Sequence, residues 1–216
     1  NILNTTVLTD SSISINNHDI NTDKHSYLRR ISFIPERFFF INSLVYQEIK
    51  MPLYNLNFNI KVINKRFEKL VKLLNIEYLI NKDIKELNDY EKFLVYLSKS
   101  LITSPKVIII DDIFKVLDKS YYNQIFITLQ KIKKYSSILI TSIYFDPILY
   151  SDYIYYLEDK NIKYSGNKEK FFKLDNELVK GHIKINDIIS SSLALNCYEV
   201  MDNIVRDKED LVNILW

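Results

Sequence analysis

Apolar positions along the chain follow two periods. Val107, Ile108, Ile109 and Ile110 form an uninterrupted apolar run that ends on Asp111 and Asp112. Such a run predicts a short strand buried on both faces, with two carboxylates at its C-terminal end. Residues 137–141 (Ser-Ile-Leu-Ile-Thr) and 30–34 (Arg-Ile-Ser-Phe-Ile) read as further strands, the latter stopped by Pro35. Ser12 to Ile15 alternates like a strand and runs into a turn cluster, Asn16-Asn17-His18-Asp19. Residues 40–100 instead carry a helical period. Val62, Ile63, Phe67, Leu70, Val71 and Leu74 define one apolar face, and Phe93, Leu94, Leu97 and Leu101 another, on a helix over about 89–101. Ser104-Pro105 breaks the chain before the buried strand. A helix over about 120–135 turns Ile125, Leu129 and Ile132 inward. Two β-rich runs, 153–157 and 162–164, flank Glu158-Asp159-Lys160-Asn161 and predict a hairpin. The last 45 or so residues read as helical, polar and separable.

Strand, helix and strand in alternation, with apolar strands, predict an α/β fold with a parallel sheet. The helical block at 40–100 then reads as an inserted subdomain. In open sheets of this class ligands bind beyond the carboxyl ends of the strands, which is where Asp111 and Asp112 fall.

Composition narrows the picture. At 47% apolar and 26% charged over 216 residues the chain is globular and long enough for one large domain or two small ones. A formal net charge of +2 gives no basic footprint for nucleic acid. One cysteine, Cys197, excludes an intrachain disulfide and reads as a small buried hydrophobe. His18, His25 and His182 are scattered, without metal-ligand spacing. No run reaches the ~18 apolar residues of a membrane span. Only Gly166 and Gly181 are glycine and only Ala194 is alanine, which reads as a coding bias that erodes glycine motifs. The sequence opens on Asn1 rather than Met, which leaves open both a clipped N-terminus and a real loss of whatever the family carries before it.

The order of segments resembles the ATP-binding subunit of ABC transporters. Pro105-Lys106-Val107-Ile108-Ile109-Ile110-Asp111-Asp112 is similar to the family's Walker B strand, and Leu117-Asp118 to its D-loop. The stretch from Ser151 to Gly166 resembles the family's C-terminal hairpin, with a short helix expected over 167–172. Ser12 to Asn16 looks like the strand that follows the Walker A helix. Within the family, residues 172–178 and 207–216 are similar to the C-terminal extension of energy-coupling factor (ECF) A components, the paired ATPases of vitamin and metal-ion uptake systems. The resemblance implies a P-loop NTPase core at 1–40 and 103–171, a helical subdomain at 41–102, and a C-terminal extension at 172–216 that serves dimerisation.

The resemblance also assigns roles and exposes departures. Asp111 takes the carboxylate that positions Mg²⁺ through its water shell. Asp112 stands at the catalytic Glu position, with its acid retracted by about one methylene; a ~1 Å misplacement can lower a rate ~10²-fold. The other reading of the pair is turn carboxylates that cap the next helix. Glu36 takes the Q-loop glutamine position, or is a solvated surface acid. Asn88, Asp89, Tyr90 and Glu91 occupy the signature, where the family holds a partner's γ-phosphate at a helix N-terminus. Both signature glycines are replaced, and the competing reading is a plain helix N-cap by Asn88 or Asp89. Ser142 falls at the switch-histidine position and Asp118 in the D-loop. Phe38, Phe39, Phe40, Ile41 and Tyr46 correspond to a region lining the groove for a membrane subunit's coupling helix, or are subdomain core. Three adjacent Phe cannot all point inward, so at least one is expected outside.

The Walker A loop would precede Asn1, and without it ATP affinity would be very weak. The implied function is an ATPase subunit, with ATP and Mg²⁺, of an ECF-like importer at the cytoplasmic membrane face. Its implied partners are a second ABC ATPase subunit and a transmembrane coupling subunit. The altered motifs predict weak or absent hydrolysis. A non-catalytic structural paralogue, or an ABC protein without a transporter, are the alternatives.

Overall fold

The computed structural model describes residues 14–15, 18–19, 22–144 and 146–173. The chain divides into two compact units, Asn1–Thr141 and Ser142–Trp216. The C-terminal extension beyond residue 173, with Cys197 and His182, lies outside the described residues, as do Ser12 and Ile13 of the predicted first strand.

The first unit is organised by a parallel sheet of three strands, β3 (Ile31–Ile34), β4 (Val107–Asp111) and β5 (Ser137–Thr141), in that spatial order. The predicted apolar run therefore becomes the central strand, and Ile108, Ile109 and Ile110 are buried. A central parallel strand is covered on both faces, which is why its sequence does not alternate. Before β3 come two short paired segments, β1 (Ser14–Ile15) and β2 (His18–Asp19), and the helix α1 (Lys24–Leu28). His18 and Asp19, read from the sequence as turn residues, are thus the returning strand of a small ladder.

The helical block holds α2 (Val45–Asn55), α3 (Ile60–Leu74) and α4 (Asp89–Leu101). On α3 the buried residues are Ile63, Phe67, Leu70, Val71 and Leu74, the predicted face. It starts at an Asn59 cap and ends on Asn75 in the left-handed conformation, which Asn tolerates better than most residues. Helix α4 packs against α2, α3 and β3 and so joins the subdomain to the sheet. After β4 the chain makes two 3₁₀ turns, Ile113–Lys115 and Lys119–Tyr121, and enters α5 (Tyr122–Ile132). Phe114 stacks on Phe126, Tyr122 meets both rings edge-on, and the Tyr122 hydroxyl donates to the Phe114 carbonyl at 2.5 Å. The loop after β4 is therefore pinned to α5.

Among the described residues one carboxylate is fully buried. Glu48 on α2 accepts hydrogen bonds from the Ile41 and Asn42 amides at 3.1 and 2.8 Å and from Asn42 Nδ2 at 2.9 Å, and pairs with Lys99 Nζ of α4 at 2.6 Å. It ties the loop carrying Phe38–Ile41 to two helices. Phe38 and Phe40 pack on Tyr96, whereas Phe39 and Ile41 are 71% and 77% exposed, so the three phenylalanines split as their adjacency requires.

The second unit contains α6 (Asp146–Leu149), the antiparallel hairpin β6 (Tyr153–Glu158) and β7 (Asn161–Asn167), and α7 (Lys168–Lys173). Asp159 and Lys160 both have positive φ, as a two-residue hairpin turn of the primed type requires. A Cβ on Gly166 would lie 2.6 Å from the Tyr164 hydroxyl, so that strand position requires a glycine or a moved tyrosine.

Burial pushes the Glu48 pKa up, but the bonds from Lys99 and Asn42 outweigh it and the net value lies below the ordinary carboxylate range. A depressed folded pKa means stability that is present above the unfolded value of ~4.3 and is lost as pH falls below it. Lys99→Met leaves Glu48 buried without its cation and is expected to lower unfolding free energy by about 3–5 kcal/mol in urea titrations at pH 7. Glu48→Gln is expected to flatten the acid limb of stability below that pH, as read from the urea midpoint against pH.

Candidate functional site

The parallel register places the two acids at one sheet edge. Ile110 pairs with Ile140 and Asp111 with Thr141 across β4 and β5, and Ile34 pairs with Ile110 across β3 and β4. Asp111 is the last residue of β4, and Asp112 leaves the strand in the left-handed conformation, φ 47 and ψ 33. Asp reaches that region more readily than β-branched or bulky residues do. Its N–H donates to the Thr141 carbonyl at 3.0 Å and to the Thr141 hydroxyl at 3.2 Å. The same hydroxyl donates to Asp111 Oδ1 at 2.5 Å. Asp112 Oδ1 is buried and has no hydrogen-bond donor. An orphaned carboxylate oxygen beside a second carboxylate suits a ligand that brings positive charge or donors. Among the described residues no three His, Cys, Asp or Glu side chains converge into a metal cage. The pair therefore fits Mg²⁺ that arrives on phosphates, with few protein ligands.

Glu36 lies just past β3, and its carboxylate pairs with Lys115 Nζ at 3.1 Å. That lysine, on the 3₁₀ turn after β4, ties Glu36 to the loop that follows the two acids and balances its charge. Asp118 is exposed and caps the next turn: its carboxylate accepts from the Ser120 amide at 2.8 Å. Bonds from the Ser120 side chain and backbone hold its pKa below the usual value. Ser142 opens the second unit, and its Oγ accepts the Tyr144 amide at 2.9 Å.

The signature position is a closed helix end. Asn88 Oδ1 accepts from the Glu91 amide at 2.9 Å, and Glu91 accepts from the Asn88 amide at 3.0 Å, a reciprocal capping box. Lys82 pairs with Glu91 at 3.2 Å and Lys92 with Asp89 at 3.3 Å. Tyr90 stacks on Tyr121 at 5.1 Å with planes 7° apart. Two acids in the first turn already meet the positive end of the helix dipole. A phosphate here would have to displace Glu91 and approach Asp89, so this end of α4 does not fit an anion.

A cavity of about 760 Å³ opens in the first unit among His25, Arg29, Phe33, Phe58, Tyr96 and Lys99; none of the acids at the sheet edge lines it. Sequence reading did not single out Thr141, Lys115 or Tyr121. Thr141 was legible only as the end of a predicted strand facing another, and the partners of Lys115 and Tyr121 become visible only once the chain is folded.

This architecture, a parallel core with an inserted helical subdomain and two acids closing the central strand, is the ABC ATPase form of the P-loop NTPase fold. The chain superposes on CbiO1 from Clostridium perfringens, part of the ABC transporter complex CbiONQ, with a TM-score of 0.65 at 20% identity, over 82% of this chain and 69% of that one. In sequence it resembles ABC transporter ATP-binding proteins. It is 30% identical over 122 residues to the molybdate/tungstate import ATP-binding protein WtpC of Methanocaldococcus jannaschii, matching 56% of this chain and 41% of that protein. It is 25% identical over 170 residues to a putative ABC transporter ATP-binding protein of C. perfringens, matching 77% of this chain and 59% of the relative. The chain thus spans about two fifths to three fifths of the length of these relatives. No protein-family model matches it.

Asn88→Ala removes the cap and is expected to destabilise the first unit by about 1 kcal/mol in chemical denaturation. The same substitution is expected to leave nucleotide affinity within error; a change in affinity would show that this helix end contacts the ligand.

Proposed function

We propose that the chain is an ATP-binding cassette subunit of an ECF-like membrane importer of vitamins or metal ions, and that it hydrolyses ATP weakly or not at all. The observation that carries this reading is the placement of Asp111 and Asp112 together at the carboxyl edge of the central parallel strand. The similarity to ATP-binding proteins of importers supports it. ATP is the substrate. Mg²⁺ bound with it would neutralise charge on the phosphates, with Asp111 and Asp112 as the residues to hold it. Asp111, with one oxygen held by Thr141, would have its other oxygen to offer to that ion's water shell. Asp112 stands where an attacking water would be oriented, but its short side chain reaches less far than Glu. Glu36 meets the same edge as half of an ion pair, which restrains it from following a ligand.

In this reading the subunit works at the cytoplasmic membrane face beside a second ABC ATPase subunit and a transmembrane coupling subunit. The residues at 172–216 serve dimerisation. Among the described residues no helix is long and apolar enough to cross a membrane, so attachment would run through a partner. Phe39 and Ile41 hold apolar surface in water on a loop anchored by Glu48, which suits a docking contact with the membrane subunit.

A second reading, a non-catalytic paralogue that keeps the fold and the dimer surface, is favoured by one specific feature. The capping box of Asn88 and Glu91 fills the helix end that would otherwise hold a partner's γ-phosphate. Both readings predict slow or absent turnover. Steady-state phosphate release by the full-length protein is expected to fall well below the ~10 s⁻¹ typical of enzymes. Turnover at that level would show that the altered positions do not limit the chemistry.

A further inference from the structure

We propose that Thr141 is the positioning residue of the carboxylate edge, setting both acids from the neighbouring strand. The inference rests on reading Asp111 as the carboxylate that faces Mg²⁺. A threonine hydroxyl offers one proton and two lone pairs. Here the proton goes to Asp111 Oδ1 at 2.5 Å, and a lone pair receives the Asp112 N–H at 3.2 Å. Turning the hydroxyl away from either partner breaks that bond, so the two bonds fix its rotor.

The consequence differs for the two acids. The terminal torsion of an aspartate is broad and would let its oxygens exchange places. With Oδ1 anchored to Thr141, the Asp111 carboxylate has one oxygen left to offer and a fixed plane in which to offer it. Asp112 is set through its backbone instead. Its left-handed conformation, φ 47, is one that L-residues adopt reluctantly, and its N–H is shared by the Thr141 carbonyl and hydroxyl. The paired register of Asp111 with Thr141 brings these groups together, so the clamp follows from the alignment of β4 and β5.

A merely structural hydroxyl would stabilise the strand end without directing the carboxylates, and isosteric substitution separates the two roles. Thr141→Val keeps the β-branched shape and the carbonyl bond but has neither the proton nor the lone pair. Thr141→Ser keeps both. The first readout is the Asp111 ¹³Cγ shift together with the Asp112 amide resonance, in nucleotide-free full-length protein. The second is Mn²⁺ binding in the presence of ATP, followed by electron paramagnetic resonance. Thr141→Val is expected to move both resonances and to weaken Mn²⁺ binding about tenfold, the usual scale for losing a group that orients a metal ligand. Thr141→Ser is expected to restore the wild-type values, and Thr141→Ala repeats the test should the valine variant fold poorly. Resonances that stay in place in the valine variant overturn the proposal, as does unchanged Mn²⁺ affinity where the wild type binds. A wild type that binds no Mn²⁺ with ATP defeats the magnesium reading instead, and the resonances alone then decide whether Thr141 sets the acids.

Discussion

The sheet register around β4 is the constraint on which the rest depends. A strand has a side-chain period of two, so a slip of one residue would exchange its faces and move both acids. Contacts at the start of β4 prevent this. The Arg30 carbonyl accepts the amides of both Lys106 and Val107, at 2.7 and 3.0 Å, and the Ser136 hydroxyl donates to the Pro105 carbonyl at 2.7 Å. The Ser137 amide donates to the Lys106 carbonyl at 2.9 Å, so β4 is held from both neighbours before its apolar run begins. Burial of Ile108, Ile109 and Ile110 then makes any slip unfavourable, because it would turn polar ends inward. Asp111, Asp112 and Thr141 meet at the far end as a consequence.

The sheet edge and the N-terminus of α4, the two regions matched to the family's motifs, are built differently. At the sheet edge the carboxylates persist, and a neighbouring hydroxyl organises them. At α4 the helix terminus satisfies itself: Asn88 and Glu91 exchange hydrogen bonds, two lysines neutralise the first-turn acids, and Tyr90 lies flat on Tyr121. An N-terminus that binds anions needs bare amides and no competing carboxylate. Under the proposed reading, the chain keeps the carboxylates of its central strand, while the helix end matched to the signature is a structural cap. Glu36 follows the same trend, since its charge is matched by Lys115.

Much of the fold was legible because local pattern and tertiary outcome agree. Strand β5 spans residues 137–141 as its apolar run predicted, and α4 spans 89–101 as its face predicted. The hairpin also appears, with its second strand extended to 161–167, and the short helix follows one residue later than expected. His18 and Asp19 were read as turn because Asn and Asp clusters favour turns, yet pairing with Ser14 and Ile15 prevails over that preference. At the site, Asp111 and Asp112 were visible as acids ending an apolar run. The Thr141 clamp, the Glu36–Lys115 pair and the buried Glu48 were not, since each joins residues 29 to 79 positions apart or hides a charge that composition counts as surface. The competing cap reading of Asn88 was correct in its geometry, because a capping box is encoded within four consecutive residues.

The account turns on whether Asp111 presents a nucleotide-borne cation. Equilibrium binding of a fluorescent ATP analogue to the full-length protein, with and without Mg²⁺, and to its Asp111→Asn variant, tests this most directly. Saturable binding that strengthens with Mg²⁺ in the wild type, and loses that dependence in the variant, is the predicted result. Binding indifferent to Mg²⁺, or equally Mg²⁺-dependent after Asp111→Asn, would contradict it.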